Sequence, residues 1–454
     1  MKQISFGEIA EFRNGLNFGK DSHGMGCLII GIPDFKDRFY PDYSSLGEIN
    51  PLGIIKEEDY LRKEDILFVR SNGNKDLVGR SLYIDKDIKA VYSGFCIRAR
   101  LTSSVVDPLF CAYYTRSDRF KSSISTSGGT NIQNLNQGIL ANVKLPLFSS
   151  RSQKQIAKVL SDLDAKIEVN NKINKELEAM AKTLYDYWFV QFDFPFDFAQ
   201  GIPDVNGKPY KSSGGKMVYN EELKREVPAG WEVNSFSDWI KNDKSGDWGK
   251  ETKQGNYVNK VSCIRGADLN GLNGNGEVKS PTRFILEKNN HKLLEVGDFI
   301  IEISGGSPTQ STGRMAFIIE ETLDRFENPL ICSNFCKAVT LKDKNALYNF
   351  AYEWNRLYDA GVLFGWEGKT SGIKNLLFES FVTNHKVAIP DSKVMDLFYD
   401  YAKPIHAQIQ TNLKENQKLA ELRDWLLPML MNGQVSVSEA EERLVHDSYR
   451  EVAE

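Results

Sequence analysis

One helical phrase occurs twice in this chain. "INKELEAMAKTLYDYWF" runs from Ile173 to Phe189, and a degenerate copy, "ENQKLAELRDWLLPMLM", runs from Glu415 to Met431. Aligned without a gap, residues 163–184 and 405–426 share seven of 22 positions, including Asn170/Asn412, Asn174/Asn416, Leu177/Leu419 and Leu184/Leu426. Chance gives roughly one or two. An internal repeat outranks any local motif as a constraint, because both copies must solve the same packing problem.

The periodicity says which problem. Ile156, Leu160, Leu163, Ile167, Asn170, Asn174 and Leu177 follow alternating spacings of four and three, and Phe398, Ala402, Ile405, Ile409, Asn412, Asn416 and Leu419 repeat them. This is the stripe of a coiled-coil helix. Two Asn on a seam cost stability but specify register and orientation. Antiparallel pairing would set Asn170 against Asn416, Asn174 against Asn412, Ile167 against Leu419 and Leu177 against Ile409. The alternative puts these Asn on a solvated face. Pro404 should kink or interrupt the second helix.

The repeat extends upstream. "EDILFVRSNG" (64–73) matches "GDFIIEISGG" (297–306) as a charged residue, a short strand and a Ser/Gly turn; "YSGFC" (92–96) matches "CSNFC" (332–336), and "GTNIQNL" (129–135) matches "TSGIKNL" (370–376). The plan reads domain, helix, domain, helix. Between the halves, residues 192–230 are rich in Gly, Pro and Ser turn signals, which predicts a surface hairpin or linker.

Net charge is −4, but residues 431–454 carry two basic and six acidic residues, so the remainder is neutral. That balance permits a nucleic-acid partner without arguing for one. No run approaches the roughly 18 apolar residues of a membrane span, and the N-terminus has no secretory pattern, so a cytoplasmic location is expected. Six cysteines without zinc spacing read as reduced, buried thiols.

Catalytic motifs are sought without success. Leu363 stands where a phosphate-binding loop ending in Gly368-Lys369-Thr370 needs its first glycine. "DPLF" (107–110) is a single-proline helix start rather than a base-flipping methyltransferase pocket. Asp298 and Glu302 have the beginnings of a nuclease pattern, with Ser304 in place of the lysine. The five histidines show no ligand or triad spacing.

Both halves do carry polar, glycine-rich loops whose residue types read base edges or hold phosphates. The first half offers Arg13, Asn14 and Lys20 in "FRNGLNFGK". It adds Arg70, Ser71, Asn72, Asn74, Lys75 and Arg80 in "VRSNGNKDLVGR", and Thr130, Asn131 and Gln133 in "SGGTNIQN". The second offers Lys250 and Lys253 in "KSGDWGKETKQGNY". Ser304, Ser307, Thr309, Gln310 and Arg314 follow in "ISGGSPTQSTGR", and Lys369, Thr370 and Lys374 in "EGKTSGIKN". Such loops are often plain solvated surface; their recurrence at matching places favours a binding role.

This organisation resembles the specificity subunit of Type I restriction-modification systems. The likeness covers nearly the whole chain and is most specific in "NGKPYKSSGGKMVYNEELKREVPAGWEV", "INKELEAMAKTLYDYWF" and "KENQKLAELRDWLLPMLMNGQV". It implies an α+β fold of two target-recognition domains, with mixed short strands and helices. They would be separated by two long helices in an antiparallel coiled coil with a pseudo-two-fold. The expected boundaries are 1–145 and 231–389 for the domains, 146–191 and 390–432 for the spacer helices, 192–230 for the linker and 433–454 for an acidic tail.

The resemblance implies a non-catalytic chain that reads a bipartite site on double-stranded DNA and docks two methylation subunits and the restriction (translocase/endonuclease) subunits. S-adenosylmethionine, ATP and magnesium would belong to those partners. Family patterning falls on Asn170, Asn174, Leu177, Asn412, Asn416 and Leu419. A helix over 152–189 would be about 57 Å long, against about 34 Å for one turn of DNA, which suits a spacer. The aromatic run "LYDYWFVQFDF" (184–194), with Trp188 at its centre, either seals helix to domain or faces a partner, and Leu430 would do the same from the second copy. Two other classes stay open: an unrecognised nuclease or methyltransferase, and a coiled-coil adaptor for proteins alone.

Overall fold

The structure is a computed structural model and describes residues 2–19, 22–35, 38–51, 55–127, 134–307, 309–370 and 372–437, with backbone alone at 23, 75, 126, 127, 369 and 370. The chain forms two compact units, Met1–Ile167 with Gln417–Glu454, and Glu168–Asn416. Each boundary falls inside one of two long helices, Ser150–Tyr185 and Ser392–Met431.

The first unit is organised by Ile66–Val69, whose four residues are all buried. Alternate side chains of a strand point to opposite faces. Ile66 and Phe68 therefore enter one core and Leu67 and Val69 another. That double burial explains an unbroken apolar run where a half-exposed strand would alternate. The strand lies in a four-stranded antiparallel sheet in the order Ala10–Asn14, Cys96–Leu101, Ile66–Val69, Ser81–Tyr83. A second sheet orders Gly47–Ile49, His23–Ile30 and Ala90–Tyr92, the last two parallel. The helix Pro108–Tyr114 begins with proline and is capped by Asp107, whose carboxylate accepts from the Phe110 N–H at 3.0 Å.

The second unit repeats this plan. Its four-stranded sheet runs Ile240–Ser245, Cys336–Leu341, Asp298–Glu302, Met315–Phe317, and its three-stranded sheet Thr282–Leu286, Tyr257–Ile264, Leu330–Cys332 again holds one parallel pair. Phe299 and Ile301 face one core and Ile300 the other. The helix Leu347–Asp359 takes the place of Pro108–Tyr114.

The repeat reaches single hydrogen bonds. Val69 N–H donates to the Arg80 carbonyl and Gly79 N–H to the Val69 carbonyl, both at 2.9 Å; Glu302, Arg314 and Gly313 make the same two bonds at 2.9 and 2.8 Å. Gly79 and Gly313 have φ of +83° and +101°, which L side chains rarely adopt.

One expectation changes. The second long helix runs through Pro404 without interruption. Pro404 is exposed while Phe398, Ala402 and His406 on the same helix are buried, so the carbonyl it deprives of a donor is turned to the solvent side, and packing holds the helix together. In residues 192–230 the hairpin alternative holds. They form a small sheet of Pro195–Asp197, Ile202–Pro203 and Lys208–Pro209 and a hairpin of Met217–Asn220 with Arg225–Pro228. Phe194 lies buried there, stacked on Tyr210 at 4.7 Å and Trp231 at 5.5 Å.

Candidate nucleic-acid interface

In the first unit the described parts of the quoted loops meet at one end of the four-stranded sheet. Leu16 bridges to Ser93, and Ser71 bridges to Asn134, with the Leu135 N–H donating to the Arg70 carbonyl at 2.8 Å. In the second unit Ser304 pairs with Asn375, and the Leu376 N–H donates to the Ile303 carbonyl at 2.9 Å. There Asp247 N–H also reaches the Cys332 carbonyl at 2.9 Å. The described parts of the loops thus meet around the turn that ends "YSGFC" or "CSNFC".

The side chains on those loops divide by what holds them. Arg13 is committed to carboxylates, 2.7 Å from Asp59 and 3.0 Å from Glu58. Arg314 forms a two-pronged pair with Glu302 at 2.7 and 2.9 Å; hydrogen bonding to that carboxylate holds the guanidinium above its usual range. Lys374 lies 3.2 Å from Glu367, mostly buried. These three are scaffold cations as well as loop residues. Asn72 and Asn74 fold their own turn, each side-chain oxygen accepting a backbone N–H two residues on. Arg80 reaches the Asp76 carbonyl at 3.4 Å. Ser304 donates to the Asn375 side-chain oxygen at 2.6 Å, and the Ser307 hydroxyl accepts the Gln310 N–H at 3.2 Å.

Asn14, Lys250, Lys253, Thr309 and Gln310 are exposed, and Arg70 and Ser71 half-buried. Lys20, Thr130, Asn131 and Gln133 lie outside the described residues, as do the side chains of Lys75, Lys369 and Thr370 and the tail from 438.

One group was passed over on residue type. Trp248, in "SGDWGK", is 37% exposed and stacked at 4.0 Å under Arg283, which pairs with Glu251 at 3.1 Å. A tryptophan inside a polar glycine loop was the available signal.

On the long helices the Asn pairs form. Asn170 donates its amide to the Asn416 oxygen at 2.9 Å and to Glu415 at 2.7 Å; Asn412 donates to Asn174 at 2.7 Å, and Asn174 to the Ile409 carbonyl at 3.4 Å. All these residues belong to the second unit, and each amide finds a partner, which lifts most of the burial cost. Leu177 is half-buried, and Leu419 packs against the core of the first unit.

Trp188 and Leu430 need correction as docking residues. Trp188 is 4% exposed, packed on Phe398 and Tyr401, and Leu430 is 1% exposed in the first core. The helix end explains it: Asp186–Val190 widens to a π-turn, and Phe192 takes a left-handed φ of +68°, so the aromatic run turns inward. Tyr187 alone of that run stays exposed among the large hydrophobics.

The nuclease-like carboxylates are occupied. Asp298 is buried, paired with Lys244 at 2.9 Å and accepting from Thr340, and Glu302 is spent on Arg314. Among the described residues no group of three His, Cys, Asp or Glu could hold a metal, and no helix is long and apolar enough to cross a membrane. The six cysteines are buried and unbridged, and burial pushes the Cys96 and Cys336 thiols up to about 12.

Two units of one topology, each bringing polar loops together around one turn, define a duplicated architecture. Comparison agrees. Residues 1–179 match the family model of the Type I restriction modification DNA specificity domain. The chain is 30% identical over 414 residues to the Type I restriction enzyme MjaVIII specificity subunit of Methanocaldococcus jannaschii, covering 85% of this chain and 82% of that one. The MjaIX specificity subunit of the same organism is 25% identical over 318 residues, 69% of this chain; the match spans 65% of that relative's length. In fold, the crystal structure of a Type I restriction-modification S subunit from M. genitalium matches with a TM-score of 0.50 at 14% identity, over 94% and 95% of the two chains. The chain belongs to the Type I restriction enzyme specificity subunits.

Proposed function

We propose that this chain is the DNA-reading subunit of a cytoplasmic Type I restriction-modification complex, each unit reading one half of a bipartite site. The observation that carries this is the repeated meeting of polar loops around the same turn. Phosphate contacts from exposed cations such as Lys250 and Lys253 would set register, and side chains such as Asn14, Arg70 and Gln310 would meet base edges. The long helices would act as spacer and as the docking element for two methylation subunits, with restriction subunits joining that assembly. The chain itself would perform no chemistry: S-adenosylmethionine, ATP and magnesium would act on the partners.

The test is detection of N6-methyladenine across the genome of cells carrying this chain with its methylation subunit, against cells lacking only this chain. A bipartite motif methylated in both halves, and lost with the chain, is the expected result. Methylation independent of the chain would overturn the reading and leave a protein-only adaptor in front.

A further inference from the structure

The turn at the centre of each loop cluster holds a residue that neither the fold nor the polar reading uses. Ser93-Gly94-Phe95-Cys96 and Ser333-Asn334-Phe335-Cys336 are the same turn, closed by Cys96 N–H to the Ser93 carbonyl at 2.8 Å and Cys336 N–H to the Ser333 carbonyl at 2.9 Å. Ser, Phe and Cys recur in both. The cysteines are buried in the cores, and the serines sit in the closing bonds. The phenylalanines are 56% and 55% exposed, and among the described residues neither ring stacks on another. A single exposed apolar side chain is ordinary; what singles out these two is their recurrence at the same position of the same turn in both copies.

The Phe95 carbonyl accepts the Arg70 N–H at 2.7 Å, and Gly94 N–H donates to Leu16 at 2.7 Å. The Phe335 carbonyl accepts from Ile303 and Ser304 at 2.9 and 3.2 Å, and the adjoining Ser333 and Cys332 carbonyls pack so closely on Gly246 that a Cβ there would lie 2.1–2.4 Å away. Each ring therefore projects from a turn whose main chain is braced by Leu16 and Arg70 in one unit and by Ile303 and Ser304 in the other. In both units that turn is where the loops that the proposed function sets against DNA meet. In DNA readout an apolar group meets the thymine methyl, the one apolar feature of the major-groove edge.

Resting on the DNA-reading function above, we propose that Phe95 and Phe335 are the apolar base contacts of the two units, each ring packing on a thymine methyl in its own half-site.

The assay uses the full chain assembled with its methylation subunits and a duplex carrying the motif that cellular methylation reveals. Phe95→Ala should weaken binding roughly tenfold, and Phe335→Ala likewise, with assembly and melting temperature unchanged because the rings are exposed. Replacing thymine by uracil in one half-site should weaken wild type but not the matching alanine variant, and each variant should match a different half-site. Phe→Leu should recover most of the loss.

Wild-type affinity in both alanine variants would overturn the proposal while leaving DNA reading intact. So would an alanine loss that stays additive with uracil replacement, which would mark a ring wedged between base steps. Loss of assembly with the methylation subunits would make the rings protein contacts instead. Absence of any chain-dependent motif is a separate result, read in unsubstituted cells, and it removes the DNA-reading function and this contact together.

Discussion

The two places where a long helix meets its unit's own core helix share a scaffold and differ in chemistry. In the first unit the Tyr113 hydroxyl donates to Asp164 at 2.7 Å, and Arg423 reaches the other oxygen of Asp164 at 2.7 Å. The helical repeat places His406 at the Asp164 position and Ala181 at the Arg423 position. In the second unit the Tyr352 hydroxyl lies 2.9 Å from His406 Nε2, the Tyr348 ring stacks on the imidazole at 4.9 Å, and Phe317 meets it edge-on at 5.0 Å. Ala181 is 1% exposed. One joint is a desolvated ion pair, the other a neutral ring in an aromatic box. The copies diverged by exchanging whole sets, Asp with Arg against His with Ala. A mixed set would bury a charge without its partner, which costs more than either complete arrangement.

Breaking the first set should therefore have the largest effect. Asp164→Ala leaves Arg423 with only the exposed Asp424, 2.8 Å away, and Tyr113 without an acceptor, and should destabilise the first unit by about 3 kcal/mol. Denaturant melts, with hydrogen exchange over 108–114, would measure it. Asp164→His combined with Arg423→Ala transplants the second joint and should recover much of the loss. If the single variant were neutral, the joint would not depend on charge and the comparison would fail.

Acid should separate the units next. Burial lowers His406 from the usual 6.5 to about 4. The folded form thus resists protonation while the unfolded chain accepts it, so the stabilisation is complete above pH 6.5 and lost progressively as pH falls toward 4. The span is worth on the order of 3 kcal/mol. The groups packed on the imidazole are Tyr352, Tyr348 and Phe317, none of them an acid that would favour the charged form. Hydrogen exchange over 347–359 should rise across that window in wild type and rise far less in His406→Gln.

Much of this was legible beforehand and some was not. Identities at Asn170/Asn412 and Asn174/Asn416 exposed the repeat, and their seam positions announced the cross-pairing because an antiparallel register leaves few choices. The joint was not legible: Asp164 and His406 share no chemistry, so an identity search passes over the place where the copies do the same job. Burial direction was equally hidden. Trp188 sits on a stripe that either packs inward or faces outward, and the deciding features, a π-turn and a left-handed Phe192, have no short-range signature. Phe95 and Phe335 were quoted within matched strings, but their exposure depends on the tertiary turn.

A smaller effect should be equal in the two units. Gly79 and Gly313 carry the same hydrogen bond at positive φ, and a Cβ would come within 2.4 Å of Ile124 Cδ1 or Leu363 Cδ1, both flexible side-chain ends. Backbone strain should dominate, so Gly79→Ala and Gly313→Ala should each cost about 2 kcal/mol. Unequal costs in thermal melts would show that the two turns are less alike than their bonds.

The least effect is expected where two changes cancel. Asn412→Leu removes the donor to Asn174 and leaves the Asn174 oxygen buried without that bond, costing about 1 kcal/mol. Asn174→Leu does the converse, stripping Asn412 of its acceptor, and it also removes the donor to the Ile409 carbonyl. Changing both places two leucines on an apolar seam and frees the exposed Gln408, which had donated to Asn412 at 2.8 Å and turns to water, so the double variant should melt near wild type. The Asn170–Asn416 layer still specifies register in that variant. Removing that layer as well should leave the pair apolar throughout and no longer bound to one register, which disulfide trapping between the helices would read as a spread of cross-links. A single cross-link in the fully leucine seam would show that the Asn ladder only satisfies itself, and that loops and cores alone set the pairing.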